Sequence, residues 1–207
     1  MASRRSTTKQ WVRRQAADPY VKQRERAGYR SRAAFKLKEI LERDRLIRKG
    51  GYILDLGASP GGWSQVAATA VGTGGKVVAV DLLPMEPISG VHFIEGDCRD
   101  ADTLHKIGAQ FGERSAELVI SDIAPNITGI RDVDEANFLE LAEFVSDIST
   151  QFLVAGGSML IKLFQFPGTD SYIRDLRGSY DSIARRKPES SRRSSREFYV
   201  VAKGFGI

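Results

Sequence analysis

The 207-residue chain has a single cysteine, Cys98, and only two histidines, His92 and His105. One cysteine excludes an internal disulfide. So few thiols and imidazoles leave no ligand set for a zinc site and no partner for a thiol nucleophile, so no metal is expected. Cys98 follows an apolar stretch and precedes Arg99, and reads as an incidental, partly buried thiol. Long apolar runs are also missing. None approaches the roughly 20 residues that span a bilayer. The first residues, MASRRSTTKQW, lack the apolar core of a secretory signal. They have the basic, Ser/Thr-rich character of an organelle transit peptide but are short and show no amphipathic period. No membrane association and a cytoplasmic location are the expectation.

Charge is plentiful but segregated. Residues 1–50 hold 16 Lys and Arg against 5 Asp and Glu, residues 51–173 hold 6 against 17, and residues 174–207 hold 9 against 4. An acidic centre between two basic ends points to a polyanionic partner, because neutralising phosphates releases counterions and drives binding. Trp11, Tyr20, Tyr29 and Phe35 interleave the basic residues, as aromatics do on nucleic-acid surfaces. Solvated tails kept basic for solubility are the plainer alternative. Residues 1–30 therefore read as a basic, partly mobile nucleic-acid-binding arm, and residues 31–207 as a single domain.

Apolar periodicity then organises the chain. Ser31 is placed to cap a helix running to about Asp44, with Ala34, Leu37 and Leu41 on one face. Strands are expected at Tyr52–Leu56, Lys76–Asp81, Val91–Asp97, Glu117–Asp122, Ser158–Phe164, Ile183–Lys187 and Glu197–Phe205. Helices are expected from Gly62 to Val71, from Asp100 to about Phe111, from Asp134 to about Ala155, where Gly156-Gly157 stops it, and from Thr169 to about Gly178. Strands alternating with helices mean an α/β fold with a largely parallel sheet covered by helices on both faces. The last two strands, joined without a helix, suggest an antiparallel hairpin. Ligands of such sheets bind beyond the carboxyl ends of the strands. Gly57, Asp81, Asp97 and Asp122 all fall there.

The segment Asp55-Leu-Gly-Ala-Ser-Pro-Gly-Gly-Trp63 joins the first strand to a helix. Gly57, Gly61 and Gly62 permit a tight turn and close approach to a ligand, and the helix that follows offers free N–H groups. Asp81 closes the next strand, where a carboxylate can accept both ribose hydroxyls of an adenosine cofactor. The loop lacks G-x-G-x-x-G, so a dinucleotide is not indicated, and no Lys-Ser/Thr follows the glycines, so it is not a P-loop.

DLGASPGGWSQ, VDLLPMEPI, SDIAPN, the strand with Lys162 and KPESSRRSSREFYVVA, taken in this order, resemble the FtsJ/RlmE family of ribosomal RNA ribose methyltransferases. The resemblance runs from about Trp11 to the end. It implies a Rossmann-like methyltransferase fold with a mostly parallel seven-stranded sheet and an antiparallel C-terminal strand, and S-adenosylmethionine as cofactor. It implies that Gly61 and Trp63 border the methionine part of the cofactor, that Asp81 holds its ribose and that Asp97 lies by its adenine. Packing of the first helix is the plainer reading of Trp63, but its place at the loop-to-helix mouth favours the cofactor. Lys36, Asp122, Lys162 and Glu197 match the family's catalytic tetrad, with Lys162 as general base. A lysine within SMLIKLF calls for a partner on physical grounds alone, since lysine is rarely buried unpaired. The implied target is the 2′-hydroxyl of a uridine in the A-loop of 23S rRNA, in the large ribosomal subunit, acted on by a monomer. A 2′-O-methyltransferase of transfer RNA is the alternative enzyme. A non-catalytic RNA-binding module and a small-molecule methyltransferase are further ones.

Overall fold

The computed structural model describes residues 19–192 and 194–206. Six α-helices, one short 3-10 helix (Leu176–Gly178) and seven strands occur among them. They are α1 (Pro19–Ala27), α2 (Ala33–Asp44), β1 (Tyr52–Leu56), α3 (Gly62–Val71), β2 (Lys76–Asp81), β3 (Val91–Glu95) and α4 (Ala101–Phe111). There follow β4 (Ala116–Ser121), α5 (Arg131–Phe152), β5 (Leu153–Phe164), α6 (Thr169–Asp175), β6 (Tyr180–Arg186) and β7 (Glu197–Phe205). One sheet contains all seven strands in the order β3-β2-β1-β4-β5-β7-β6. The pairs from β3 to β5 are parallel, and β7 runs antiparallel to both β5 and β6. This is the mostly parallel, seven-stranded Rossmann-like sheet with antiparallel pairing at its C-terminal edge, and helices cover both faces. No helix among the described residues is long and apolar enough to cross a membrane.

Two apolar layers follow from the strand pleat, because successive side chains point to opposite faces. Leu54, Val78, Val119, Met159, Ile161 and Val200 turn towards α4, α5 and α6. Ile53, Val77, Ile120, Leu160, Tyr199 and Val201 turn towards α2 and α3, meeting Ala34, Leu37, Ile40, Val66 and Ala67. Buried on both faces, the central strands read as near-continuous apolar runs.

The structure shifts several expected boundaries. Arg32, with helical backbone and no side-chain cap, occupies the position before α2 that Ser31 was expected to take. Ser31 lies against α3 instead, where a Cβ on Gly62 would come within 2.2 Å of its hydroxyl oxygen. Helix α5 begins at Arg131 rather than Asp134, because the Asp134 side chain accepts hydrogen bonds from the Thr128 N–H, the Thr128 hydroxyl and the Gly129 N–H, and so ties the preceding loop to the first turn. The same helix ends at Phe152. Gly156-Gly157 does not stop it but lies inside β5, at a register shift where Ala116 pairs with Leu153 and Leu118 with Ser158. Gly156 takes a positive φ of 78° there, which suits glycine at a bulge. The edge strand runs over 180–186 rather than 183–187, and α1 was not foreseen at all. Residues 1–18, most of the expected arm, lie outside the described residues.

Candidate active site

At the carboxyl ends of β1, β2 and β4 lies a cleft of about 660 Å³. Gly57, Ser59, Asp81, Asp97 and Asp122 give it polar lining, and Leu82, Leu83, Ile123 and Phe144 give it apolar walls. Four residues expected to meet a cofactor, Gly57, Asp81, Asp97 and Asp122, are thus brought together. Each arrives at the end of a strand or in the turn just after it. Asp97 sits in the turn beyond β3, which stops at Glu95. Its carboxylate accepts the Arg99 N–H at 2.9 Å. Asp81 is fixed more firmly: Oδ2 accepts the Ser59 N–H and Oδ1 the Leu83 N–H, both at 2.8 Å. The carboxylate therefore bridges the glycine-rich loop and the loop after β2, with lone pairs still available towards the cleft.

Gly57 has φ of 73°, and a Cβ there would come within 2.9 Å of Ile123. Gly61, Gly62 and Trp63 are not among the residues that line the cleft. Gly62 admits Ser31, and Gly61 admits Met85 and Ile88. Trp63 is buried. Its indole N–H donates to the Ala33 carbonyl at 2.9 Å, and its ring lies 5.7 Å from that of Tyr199. The side chain joins α2, α3 and β7.

The tetrad assembles on the other side of Asp122, by strand alternation. Lys162 has the parity of Leu160, and Glu197 that of Tyr199 and Val201, so both project to the face covered by α2. Lys36, one residue before Leu37, reaches them from α2. Lys162 Nζ lies 3.1 Å from Asp122 Oδ1 and also donates to the Asp122 carbonyl. Lys36 Nζ lies 2.5 Å from Glu197 Oε1. All four expected residues come together as two ion pairs, each mostly screened from solvent. Burial alone would raise the Glu197 carboxyl, but the Lys36 ammonium and its hydrogen bond, the Ser191 hydroxyl and the charge of Lys162 together outweigh burial and hold it below its ordinary range.

Two residues of this site escaped the sequence reading. Tyr199, the cross-strand partner of Lys162, donates its hydroxyl to Asp122 Oδ1 at 2.9 Å, and Lys36 Nζ sits 5.6 Å from the centre of its ring. It links the two ion pairs. Period-2 counting from Glu197 would have found it. The second is Asp55, buried on β1, which accepts the Ser64 hydroxyl at 2.6 Å. Burial pushes its carboxyl up to about 7 despite that hydrogen bond, with Asp122 and Asp81 adding to the rise. The Cys98 thiol, raised by burial and then by Asp97 and Asp81 to about 12, is no nucleophile near neutral pH. No cluster of three or more His, Cys, Asp or Glu side chains fit to hold a metal occurs among the described residues.

The FtsJ-like methyltransferase family matches residues 29–205, a span that includes both the cleft and the tetrad. The chain belongs to this family. Ribosomal RNA large subunit methyltransferase E of Stenotrophomonas maltophilia (strain R551-3) is 45% identical over 204 residues, covering 99% of this chain and 97% of that protein. The protein of the same description from Alkalilimnicola ehrlichii is 48% identical over 204 residues, 99% of this chain and 98% of its own. A solved structure described as a ribosomal RNA methyltransferase of Plasmodium falciparum superposes with a TM-score of 0.77 at 29% identity, over 86% of this chain and 98% of that one. The fibrillarin/Nop5p complex, at a TM-score of 0.56 and 16% identity over 83% of each chain, shares the fold. The chain is thus a methyltransferase by family. Membership implies S-adenosylmethionine as methyl donor.

Proposed function

We propose that the protein methylates the ribose 2′-hydroxyl of a uridine in the A-loop of 23S rRNA, with Lys162 as general base. The observation that carries this reading is the Lys162–Asp122 pair at 3.1 Å, in which Asp122 also lines the cleft. One carboxylate thus separates a cofactor side from an acceptor side.

The cleft suits S-adenosylmethionine. Its carboxylates favour a cationic ligand, and Leu82, Leu83 and Phe144 offer apolar walls to an adenine. Asp81 would hold the ribose and Asp97 would lie by the adenine. Gly61 and Trp63 would contribute through the backbone at the mouth of α3, since the indole is committed to packing. The cofactor supplies an electrophilic methyl on a good leaving group.

The protein must supply alignment and a place for the hydroxyl proton. Lys162, after releasing its own proton to solvent, accepts that of the 2′-hydroxyl as the oxygen takes the methyl group. Asp122 orients it through Oδ1 and the main-chain carbonyl and stabilises the ammonium that forms. Lys36, anchored by Glu197, positions the substrate ribose or its phosphate. The basic ends supply affinity for the phosphate backbone, with the large ribosomal subunit as physiological substrate and a monomer as the acting species. Incubation with labelled S-adenosylmethionine and undermethylated large subunits, followed by mapping of 2′-O-methylation, tests the reading. One modified uridine in the A-loop is the expected result. Label in transfer RNA alone, or cofactor binding with no transfer, would overturn it.

A further inference from the structure

Two loops contribute to the wall of the cleft: residues 57–61 after β1, through Gly57 and Ser59, and residues 82–90 after β2, through Leu82 and Leu83. From inside, Asp81 holds them together through the Ser59 and Leu83 N–H groups. From outside, a residue that does not line the cleft does the same. Arg30 Nη1 donates to the Glu86 carbonyl at 2.6 Å and to the Pro60 carbonyl at 3.3 Å, and Nη2 donates to the Pro87 carbonyl at 2.9 Å. One guanidinium thus spans both loops. Gly61 shows how closely they meet, since a Cβ there would approach Ile88 at 2.6 Å, Met85 at 2.7 Å and Arg30 Nη1 at 3.2 Å.

Arg30 lies in the linker between α1 and α2, and the linker is itself anchored. The Gln65 side chain on α3 accepts the Arg30 N–H at 2.9 Å and donates to the Gly28 carbonyl at 3.0 Å. The guanidinium is therefore delivered from a fixed backbone.

We propose that Arg30 is a positioning residue for the cofactor, clamping the loops that carry Ser59, Leu82 and Leu83 around Asp81 into the spacing the cleft requires. The inference rests on the cleft being the S-adenosylmethionine site. An arginine suits the task because its planar fork presents several donors at fixed angles from separate nitrogens, whereas a lysine ammonium concentrates its three donors on one atom. Without the clamp the 82–90 loop is free to move off the glycine-rich loop, and the ribose and adenine contacts lose their preorganisation.

Calorimetric titration of wild type, Arg30→Ala and Arg30→Lys with S-adenosylmethionine tests this. Arg30→Ala should bind roughly tenfold more weakly, the scale of losing hydrogen bonds from a charged donor, and Arg30→Lys should recover little. Hydrogen exchange should quicken in residues 82–90 while the melting temperature of the whole protein stays near that of wild type. The KM for S-adenosylmethionine should rise, with the single-turnover rate at saturating cofactor largely kept. A merely structural role would lower the melting temperature without that split. If Arg30→Ala does not fold, Arg30→Lys and Gln65→Leu carry the test, and both should weaken binding. Wild-type affinity in any folded Arg30 variant would overturn the clamp. Failure of the wild-type protein to bind would instead overturn the assignment of the cleft, and the inference with it.

Discussion

Lys162 interrupts an apolar strand, and a buried ammonium is costly unless paired. Asp122 supplies the pair at 3.1 Å and Tyr199 steadies the same carboxylate oxygen at 2.9 Å. If the lysine accepts the 2′-hydroxyl proton, Lys162→Ala should lose about 10²–10⁴-fold in single-turnover methyl transfer, with S-adenosylmethionine and RNA bound nearly as before. Lys162→Arg should not rescue it, because arginine stays protonated. An active Arg variant with an unchanged pH profile would reduce Lys162 to an electrostatic guide. Asp55 offers a separate prediction about stability. Its folded value, near 7, is raised above an ordinary aspartate at about 3.9. A raised carboxyl favours the protonated native state. Stability is therefore greatest below about pH 3.9 as far as this group is concerned, and declines as pH rises to about 7. Asp55→Asn, which can keep an acceptor for Ser64, should remove that decline. Melting curves of the cofactor-free protein between about pH 5 and 8 should show the variant gaining on wild type as pH rises, and parallel curves would refute the assignment.

At the level of elements, what the sequence made legible follows from how local each signal is. Central strands such as KVVAVD and AELVIS are apolar through their middles because both faces are covered, so the run itself marks them. The carboxylates that line the cleft were readable for the same reason, since they close strands or sit in the turns just after them. Helix α1 was not readable because none of its residues is buried. It is held from outside its own pattern, by the Tyr20 ring 5.6 Å from Phe35 and by the Gln65 bridge to Gly28. The Gly156-Gly157 pair misled because glycine serves a helix stop and a strand bulge alike, and only the pairing with β4 separates the two. Long-range ion pairs leave no local trace either. Arg186 on β6 clasps Asp44 at the end of α2 through bonds of 2.7 and 2.6 Å, although 142 residues separate them. Asp44 is buried, and the pair fastens the edge of the sheet to the helix that carries Lys36. Removing one partner of a buried pair strands the other, so Asp44→Ala should destabilise the fold by about 3 kcal/mol. Chemical denaturation measures this, and a loss under about 1 kcal/mol would class the pair with ordinary surface bridges.

Over the whole molecule, charge and site divide the labour. The acidic centre holds the strand-end carboxylates that line the cleft, while the basic ends flank it in sequence. An acidic cleft alone would repel an RNA backbone, so a polyanionic substrate must be gathered by groups outside it. Residues 1–17 contribute five of the basic residues and no acidic one. If they bind phosphates, their removal should act on RNA and not on cofactor. Each phosphate that is no longer neutralised should reduce the slope of log affinity against log salt by about 0.7–0.9. Deletion of residues 1–17 should therefore weaken binding of a 23S rRNA fragment at low salt and flatten that slope by roughly two to four, allowing for charges that touch no phosphate. S-adenosylmethionine affinity should stay within about twofold, because Arg30 and Gln65, which seat the linker, remain in the shortened chain. Fluorescence anisotropy between about 50 and 200 mM salt measures the RNA term, and calorimetry measures the cofactor term. An unchanged salt slope would show that the N-terminal charges serve solubility alone. RNA affinity would then have to come from the basic residues between 19 and 50 and beyond 174.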